Sequence, residues 1–258
     1  MKERIYTPHS IFCAIPLGET DLDGTTVLHR MSELLLYMSG LVRPGHGRFM
    51  VSAPVNNNRA KARESLVEMA LEEGADWIFW LDSDVLPPPE ALITLLARQM
   101  DICAGLCVTK SDIPWPLILK RGQWGPVRDW TPGDLVECDG THLGCTLMRT
   151  EIFKTLERPW FVEGYEAREG KDERHIADSY TCTEDLPLMY RAKDAGFNCC
   201  VDTSLICKHV DWRTNVRYWW DKEKNAPMFA APGGRKYVFY NGDQQLEYQR
   251  ERDAKGVK

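Results

Sequence analysis

Apolar and polar positions come in blocks along the chain, and the period changes from block to block. Ile11-Phe-Cys-Ala-Ile-Pro16 is a short apolar run closed by Pro16 and Gly18, the pattern of a buried strand. From Thr25 to Leu41, Val27, Met31, Leu34, Leu35, Met38 and Leu41 recur at helical spacing, which predicts an amphipathic helix with Gly40 near its end. Arg48-Phe-Met-Val-Ser-Ala53 reads as the next strand, closed by Pro54. The polar Asn56-Asn-Asn-Arg59 can cap a helix running through Ala62, Leu66, Met69 and Ala70 to Gly74. Trp77-Ile-Phe-Trp-Leu81 is too short for a helix and rich in aromatics, so it predicts a strand buried on both faces. Strand and helix alternating over short connections predict a doubly wound parallel sheet.

A short helix from Glu90 to Arg98 and a buried strand, Ile102-Cys-Ala-Gly-Leu-Cys-Val108, continue the rhythm. It breaks at residues 111–134, where prolines and glycines mix with Trp115, Trp124 and Trp130, and the pattern predicts loops. Leu135-Val-Glu-Cys138 and Leu143-Gly-Cys-Thr-Leu-Met148 read as strands, and Thr150 to Leu156 as a short helix capped by Thr150. Residues 163–182 form a charged stretch with the character of a loop. Thr183-Glu-Asp then opens a helix with Leu186, Met189, Tyr190 and Ala192 on one side, ending at Gly196. Cys199-Cys-Val201 and Leu205-Ile-Cys207 read as two further strands, the second leading into Lys208-His209. From Asp243 to Lys258 the chain is charged and predicts a solvated helix or tail.

With 258 residues the chain suits one large domain or two small ones, and a chain of this size buries roughly 70–75% of its unfolded surface. A composition of 43% hydrophobic and 27% charged residues is that of an ordinary globular protein. The net charge of −6 argues against a protein that binds mainly by neutralising nucleic-acid phosphates, so an anionic ligand would need a local cation. The nine cysteines show no paired spacing of a zinc site and read as small buried hydrophobes. Met1-Lys-Glu-Arg-Ile has no apolar signal core, and no run approaches the roughly 18 apolar residues of a membrane span. The expectation is a cytoplasmic protein with reduced thiols and no transmembrane segment.

Chemistry enters where the Trp77 strand stops on Asp82-Ser83-Asp84, before Leu86-Pro-Pro-Pro-Glu, whose prolines end sheet pairing and suit a helix's first turn. Carboxylates just past the carboxyl end of a strand lie where open α/β sheets bind ligands, and they can hold a hard divalent cation. Asp82 and Asp84 equally suit a turn and an N-cap. Glu184 and Asp185 suit the positive end of a helix dipole whatever their function.

Taken in order, Asn58-Arg59 at a helix start, Ala75-Asp-Trp-Ile-Phe-Trp-Leu-Asp-Ser-Asp-Val-Leu-Pro87, Gly144-Cys-Thr-Leu-Met-Arg149, Thr183-Glu-Asp185 through Ala195-Gly196, and Lys208-His209 resemble the GT-A glycosyltransferases, most of all family 2 and its compact bacterial and phage relatives. The resemblance covers roughly residues 11–210. It implies a single GT-A-like, Rossmann-like α/β domain: a mostly parallel central sheet flanked by helices, with a small extra sheet or loop region in the C-terminal half. Residues 1–110 would form the nucleotide-sugar-binding half, 111–212 the acceptor-binding and catalytic half, and 213–258 an aromatic and basic segment with a charged tail.

The same resemblance implies roles for individual residues. Asp84 and His209 would bind Mn2+ or Mg2+, with Asp82 supporting the metal or contacting the ribose. Pro16, Arg59, Asp82 and Ser83 would line the nucleotide-sugar pocket. Asp185, beside Glu184, would be the general base, and Gly144 and Trp160 would lie near the acceptor. No Gly-x-x-x-x-Gly-Lys loop is present to cradle phosphates, so a leaving diphosphate needs a metal as electrophile. No Gln-x-x-Arg-Trp motif follows Gly144, which favours transfer of one sugar from a nucleotide-diphosphate sugar over polymer synthesis.

The acceptor stays open between glycan, protein, lipid and modified nucleic acid. Lys208, Arg213, Arg217, Lys222 and Lys224 interleave with Trp212, Tyr218, Trp219 and Trp220, which suits either a grip on a sugar, a peptide or single-stranded nucleic acid, or tryptophans packed back on the core. The competing functional readings are a retaining transferase on the same fold, a nucleotidyltransferase, and a non-catalytic nucleotide- or carbohydrate-binding protein.

Overall fold

The computed structural model of the protein describes residues 9–16, 48–53, 58–111, 114–123, 125–162, 183–231 and 236–238. The helix expected over Thr25 to Leu41, the stretch 163–182 and the tail from Asp243 lie outside the described residues. The larger sheet contains β1 (Ile11–Ala14), β2 (Phe49–Ser52), β3 (Trp77–Leu81), β5 (Ile102–Leu106), β6 (Leu135–Glu137), β7 (Cys145–Arg149) and β8 (Cys199–Ile206) in the order β2-β1-β3-β7-β5-β8-β6. The pairs β2-β1, β1-β3 and β5-β8 are parallel, whereas β7 runs antiparallel to both its neighbours and β6 antiparallel to β8. The parallel arrangement expected for the first half holds there, and β7 breaks it by entering from the second half of the chain. The two halves therefore share one sheet.

The β3 strand shows why this sheet is a sandwich filling. Ile78 and Trp80 project into one core with Ala60, Leu66, Val67 and Ala70 of helix α1 (Arg59–Glu72). Trp77, Phe79 and Leu81 project into a second core with Leu92, Leu95 and Leu96 of helix α2 (Ala91–Arg98). The period of two along a strand makes this split automatic, and each buried large apolar side chain contributes about 1.5–3 kcal/mol. Helices α3 (Glu151–Thr155) and α4 (Asp185–Asp194) add Ile152, Phe153, Leu188, Met189 and Ala192 to the first core. All eight cysteines among the described residues are buried, and none forms a disulfide.

Local chemistry sets the helix ends. Asn58 caps α1 as expected, its Oδ1 accepting from Lys61 N at 2.7 Å, and Gly74 follows with φ +64°. Thr150 does not cap α3; its hydroxyl donates to the Ala75 carbonyl at 2.8 Å and so ties α3 to the start of β3.

A smaller sheet runs β12-β11-β10-β9-β4, formed by β4 (Val85–Leu86), β9 (Lys208–Asp211), β10 (Val216–Asp221), β11 (Ala226–Ala230) and β12 (Lys236–Val238). The expectation that the prolines forbid pairing directly after Asp84 is corrected here, because Val85 and Leu86 pair with His209 and Lys208 before Pro87 ends the strand. Between β5 and β8 the register shifts after Gly105, which pairs with Asp202 while Leu106 pairs with Ile206. A Cβ on Gly105 would lie 2.8 Å from Cys207 Sγ, so glycine is what lets the shifted strand close up and pass the chain into the second sheet. The aromatic C-terminal segment folds back: the Trp220 ring lies 4.8 Å from that of Trp130 and packs on the first core.

Candidate active site

Asp82-Ser83-Asp84 forms a turn at the carboxyl end of β3, with Val85 N donating to Asp82 O at 3.0 Å. Its backbone is held from several sides. Asp82 N donates to Gly144 O (3.1 Å), Val210 N to Asp84 O (2.8 Å), and the Trp212 indole to Ser83 O (3.2 Å). With the backbone so committed, the two carboxylates point to different partners.

Asp84 faces the second sheet. Because β4 and β9 pair Val85 with His209, the imidazole comes beside the carboxylate, with Nε2 3.6 Å from Asp84 Oδ2. His209 Nδ1 donates to Val108 O at 2.9 Å, which turns Nε2 toward Asp84. The Lys110 ammonium lies 2.5 Å from the same Oδ2. Burial would raise Asp84, but the hydrogen bond and charge of His209, joined by Lys110, hold its carboxyl well below the usual carboxylate range. Burial likewise opposes an imidazolium, yet the Cys107 sulfur and Asp84 outweigh it and push His209 up to about 10.

Once Nε2 gives up its proton, Asp84 Oδ2 and His209 Nε2 suit a Mn2+ or Mg2+ ion as a two-donor seat. Among the described residues no cluster of three or more His, Cys, Asp or Glu could form a closed cage. Such ions are commonly held by one or two protein ligands, with substrate phosphates and water completing the shell. Asp82, expected to assist the metal, does not belong to this seat: both its oxygens face Arg63 Nη2, at 3.0 and 3.3 Å.

Arg63 organises the other half of the site. It lies on the buried face of α1, only 2% exposed, with Nε donating to Glu184 Oε1 at 2.9 Å and its guanidinium 5.4 Å from the Trp80 ring centre. Arg63 Nη1 is buried and has no hydrogen-bond partner among the described residues. Glu184, expected beside the catalytic base, is 3% exposed and bound on both sides, since Arg59 Nη1 also reaches its Oε2 at 3.7 Å. Its two bonds to arginine make it a structural anion. Asp185 is the first residue of α4 and half-buried; its Oδ1 accepts from the Thr183 hydroxyl and, at 3.0 Å, from Leu186 N. Burial raises the Asp185 pKa; Arg63 and Thr183 oppose the rise, and Glu184 and Asp82 add to it. A half-buried carboxylate with a raised pKa has the character of a proton acceptor.

Gly144 and His142 support the turn from beneath. Gly144 N donates to His142 Nδ1 at 2.9 Å, and His142 Nε2 donates to the Gly105 carbonyl at 2.9 Å, so the ring is a neutral bridge. Burial pushes His142 down to about 4. A Cβ on Gly144 would lie 2.6 Å from Val85 Cγ2, and only glycine permits this approach of β7 to the start of β4. Pro16 is buried at the end of β1, and the exposed Arg59 opens α1. Trp160, expected at the acceptor, is a core residue: it is 5% exposed, packs against Phe153 at 5.7 Å, and donates its indole N–H to the Phe153 carbonyl.

The sequence reading missed Arg63, Lys110 and His142. Arg63 carried a legible signal, a lone charge at the helical spacing of Ala60, Leu66, Val67 and Ala70. Lys110 and His142 lie outside regular elements, where periodicity says nothing.

No protein-family model matches the sequence, and no curated protein matches it. Among solved structures, A197 from STIV aligns with 90% of this chain and 100% of its own, at 16% identity and a TM-score of 0.52. A structure of GalNAc-T7 with UDP, GalNAc and Mn2+ aligns with 80% of this chain and 44% of its own, at 9% identity and a TM-score of 0.46. A glycosyltransferase involved in the glycosylation of the major capsid of PBCV-1 aligns with 58% of this chain and 69% of its own, at 16% identity and a TM-score of 0.30. The chain has a GT-A-like α/β fold. Among the described residues no helix is long and apolar enough to cross a membrane.

Proposed function

We propose that this protein is a metal-dependent glycosyltransferase that moves a single sugar from a nucleotide-diphosphate sugar to an acceptor hydroxyl with inversion, Asp185 acting as general base. The observation that carries the reading is the meeting of Asp84 and His209 at 3.6 Å, beyond the carboxyl ends of β3 and β8, with Asp185, its pKa raised, next in the chain to the Glu184 that Arg63 binds. A divalent Mn2+ or Mg2+ held by Asp84 and His209 would supply positive charge to a leaving diphosphate. Arg63 holds Asp82, which would receive the nucleotide side of the donor together with Pro16, Arg59 and Ser83 of the same half, 1–110. Residues 111–212 contribute His209, Gly144 and Asp185. Asp185 takes the acceptor proton as the hydroxyl attacks, a step typically worth roughly 10²–10⁴ in rate.

The test is a thermal-shift screen of nucleotide-diphosphate sugars with and without Mn2+, followed by NMR of the product formed from the stabilising donor. A metal-dependent rise in Tm and a product of inverted anomeric configuration are expected. Retained configuration would exclude Asp185 as the base of an inverting step, and the absence of any metal-dependent donor would sink the transferase reading.

A further inference from the structure

Three groups meet at one oxygen. Asp84 Oδ2 has the Lys110 ammonium at 2.5 Å and His209 Nε2 at 3.6 Å, so the lysine already occupies the carboxylate edge that a cation shared with His209 would need. A divalent ion would bind that oxygen at roughly 2.0–2.2 Å, and an ammonium cannot keep its place on the same atom against such a charge. Lys110 is free to leave. The backbone beneath it is pinned by Thr109 N to Trp115 O at 3.0 Å and by the bridge from Val108 to Pro116, while its side chain is 33% exposed. A lysine is a point charge on a flexible four-carbon stem, suited to exchanging one anion for another without moving its backbone.

We propose that Lys110 is an exchangeable cation: it neutralises Asp84 before the divalent ion arrives, is displaced when that ion binds between Asp84 and His209, and then turns to the diphosphate of the donor. The proposal rests on the metal-dependent reading of the site and adds to it a residue that opposes metal binding alone and favours the ternary complex. A lysine that merely stabilised the loop would not produce effects of opposite sign on the two.

The experiment compares wild type, Lys110→Met, Lys110→Arg and Asp84→Asn. Mn2+ binding without phosphate is followed by electron paramagnetic resonance, and inorganic pyrophosphate binding at saturating Mn2+ by calorimetry. Lys110→Met should bind Mn2+ alone roughly fivefold more tightly, since a partly exposed ion pair no longer competes for the carboxylate. It should bind pyrophosphate roughly tenfold or more weakly, the usual loss with a charged hydrogen bond. Lys110→Arg should restore both values toward wild type. If Mn2+ binding depends on Asp84 but Lys110→Met leaves it unchanged or weaker, the exchange is wrong and the metal seat stands. Unchanged pyrophosphate affinity would likewise overturn it. Should wild type and Asp84→Asn bind Mn2+ alike, the metal reading itself fails and takes the exchange with it.

Discussion

The two acids of one turn have been given opposite environments. Asp82 meets an arginine that rises from the buried face of α1, is 2% exposed, and is also bound to the 4%-exposed Glu184. Asp84 meets a lysine that reaches in from a loop and is 33% exposed. The first cation is locked by packing and by its planar fork; the second is held by one charged hydrogen bond at the end of a flexible stem. Carboxylates two residues apart can therefore differ in how firmly they are held, because different elements deliver their counter-ions.

Removing the locked cation should break this contrast most visibly. Arg63→Met leaves the buried Glu184 with only the longer contact to Arg59 at 3.7 Å, and a loss of about 3–5 kcal/mol in unfolding free energy is expected in urea titrations. A loss below about 1 kcal/mol would mean that the cluster is not a buried charge network.

The histidines on either side of the turn carry the contrast into pH. His142 is held neutral, down to about 4, so the unfolded chain takes up a proton first as pH falls through the ordinary histidine range. Stability contributed above pH 6.5 should then decline, by an amount on the order of 3 kcal/mol, as pH approaches 4. His209 is pushed up to about 10, so in the metal-free protein its contribution is complete below pH 6.5 and disappears as pH rises toward 10. Urea titrations at pH 5, 7 and 9 should show a maximum between these limbs. His142→Gln should flatten the acidic limb and His209→Gln the alkaline one; a profile unchanged by either variant would contradict the assignment.

Asp185→Asn tests the Arg63 side for chemistry rather than stability. The amide keeps the shape and the bond from Leu186 N but cannot take a proton, so kcat should fall roughly 10²-fold while donor affinity is retained. Near-normal kcat would remove the base. The smallest effect is expected at the other acid's counter-ion. Lys110→Met should change unfolding free energy by less than about 1 kcal/mol, the range of exposed ion pairs, and a change as large as that of Arg63→Met would erase the distinction between locked and exchangeable cations.

Much of this arrangement was legible in one dimension. The apolar run Trp77 to Leu81 reads as a strand buried on both faces, and its arrest on Asp82 and Asp84 marks the carboxyl edge of the sheet. The period of two and the caps Asn58 and Gly74 are local properties, set by a residue and its near neighbours, and local properties survive folding unchanged. Trp160 and Glu184 show the limit. An aromatic and an acid have the same composition whether they face a ligand or a core, and only packing against Phe153 and pairing with Arg63 decided between the two.

By itself the sequence determined most strand and helix types up to β8 among the described residues, the place of the strand-end acids, and the order in which the chemical groups occur. Tertiary structure alone decided that β7 would enter antiparallel between β3 and β5, that the register shift at Gly105 would carry the chain into a second sheet, and that Val85 would pair with His209. Those decisions depend on contacts between residues far apart in the chain, where closing the loop costs entropy that only the completed core and sheet ladders offset. Which carboxylate received Arg63 and which received Lys110 was settled at that level, and with it the difference in one turn between a firmly and a loosely held acid.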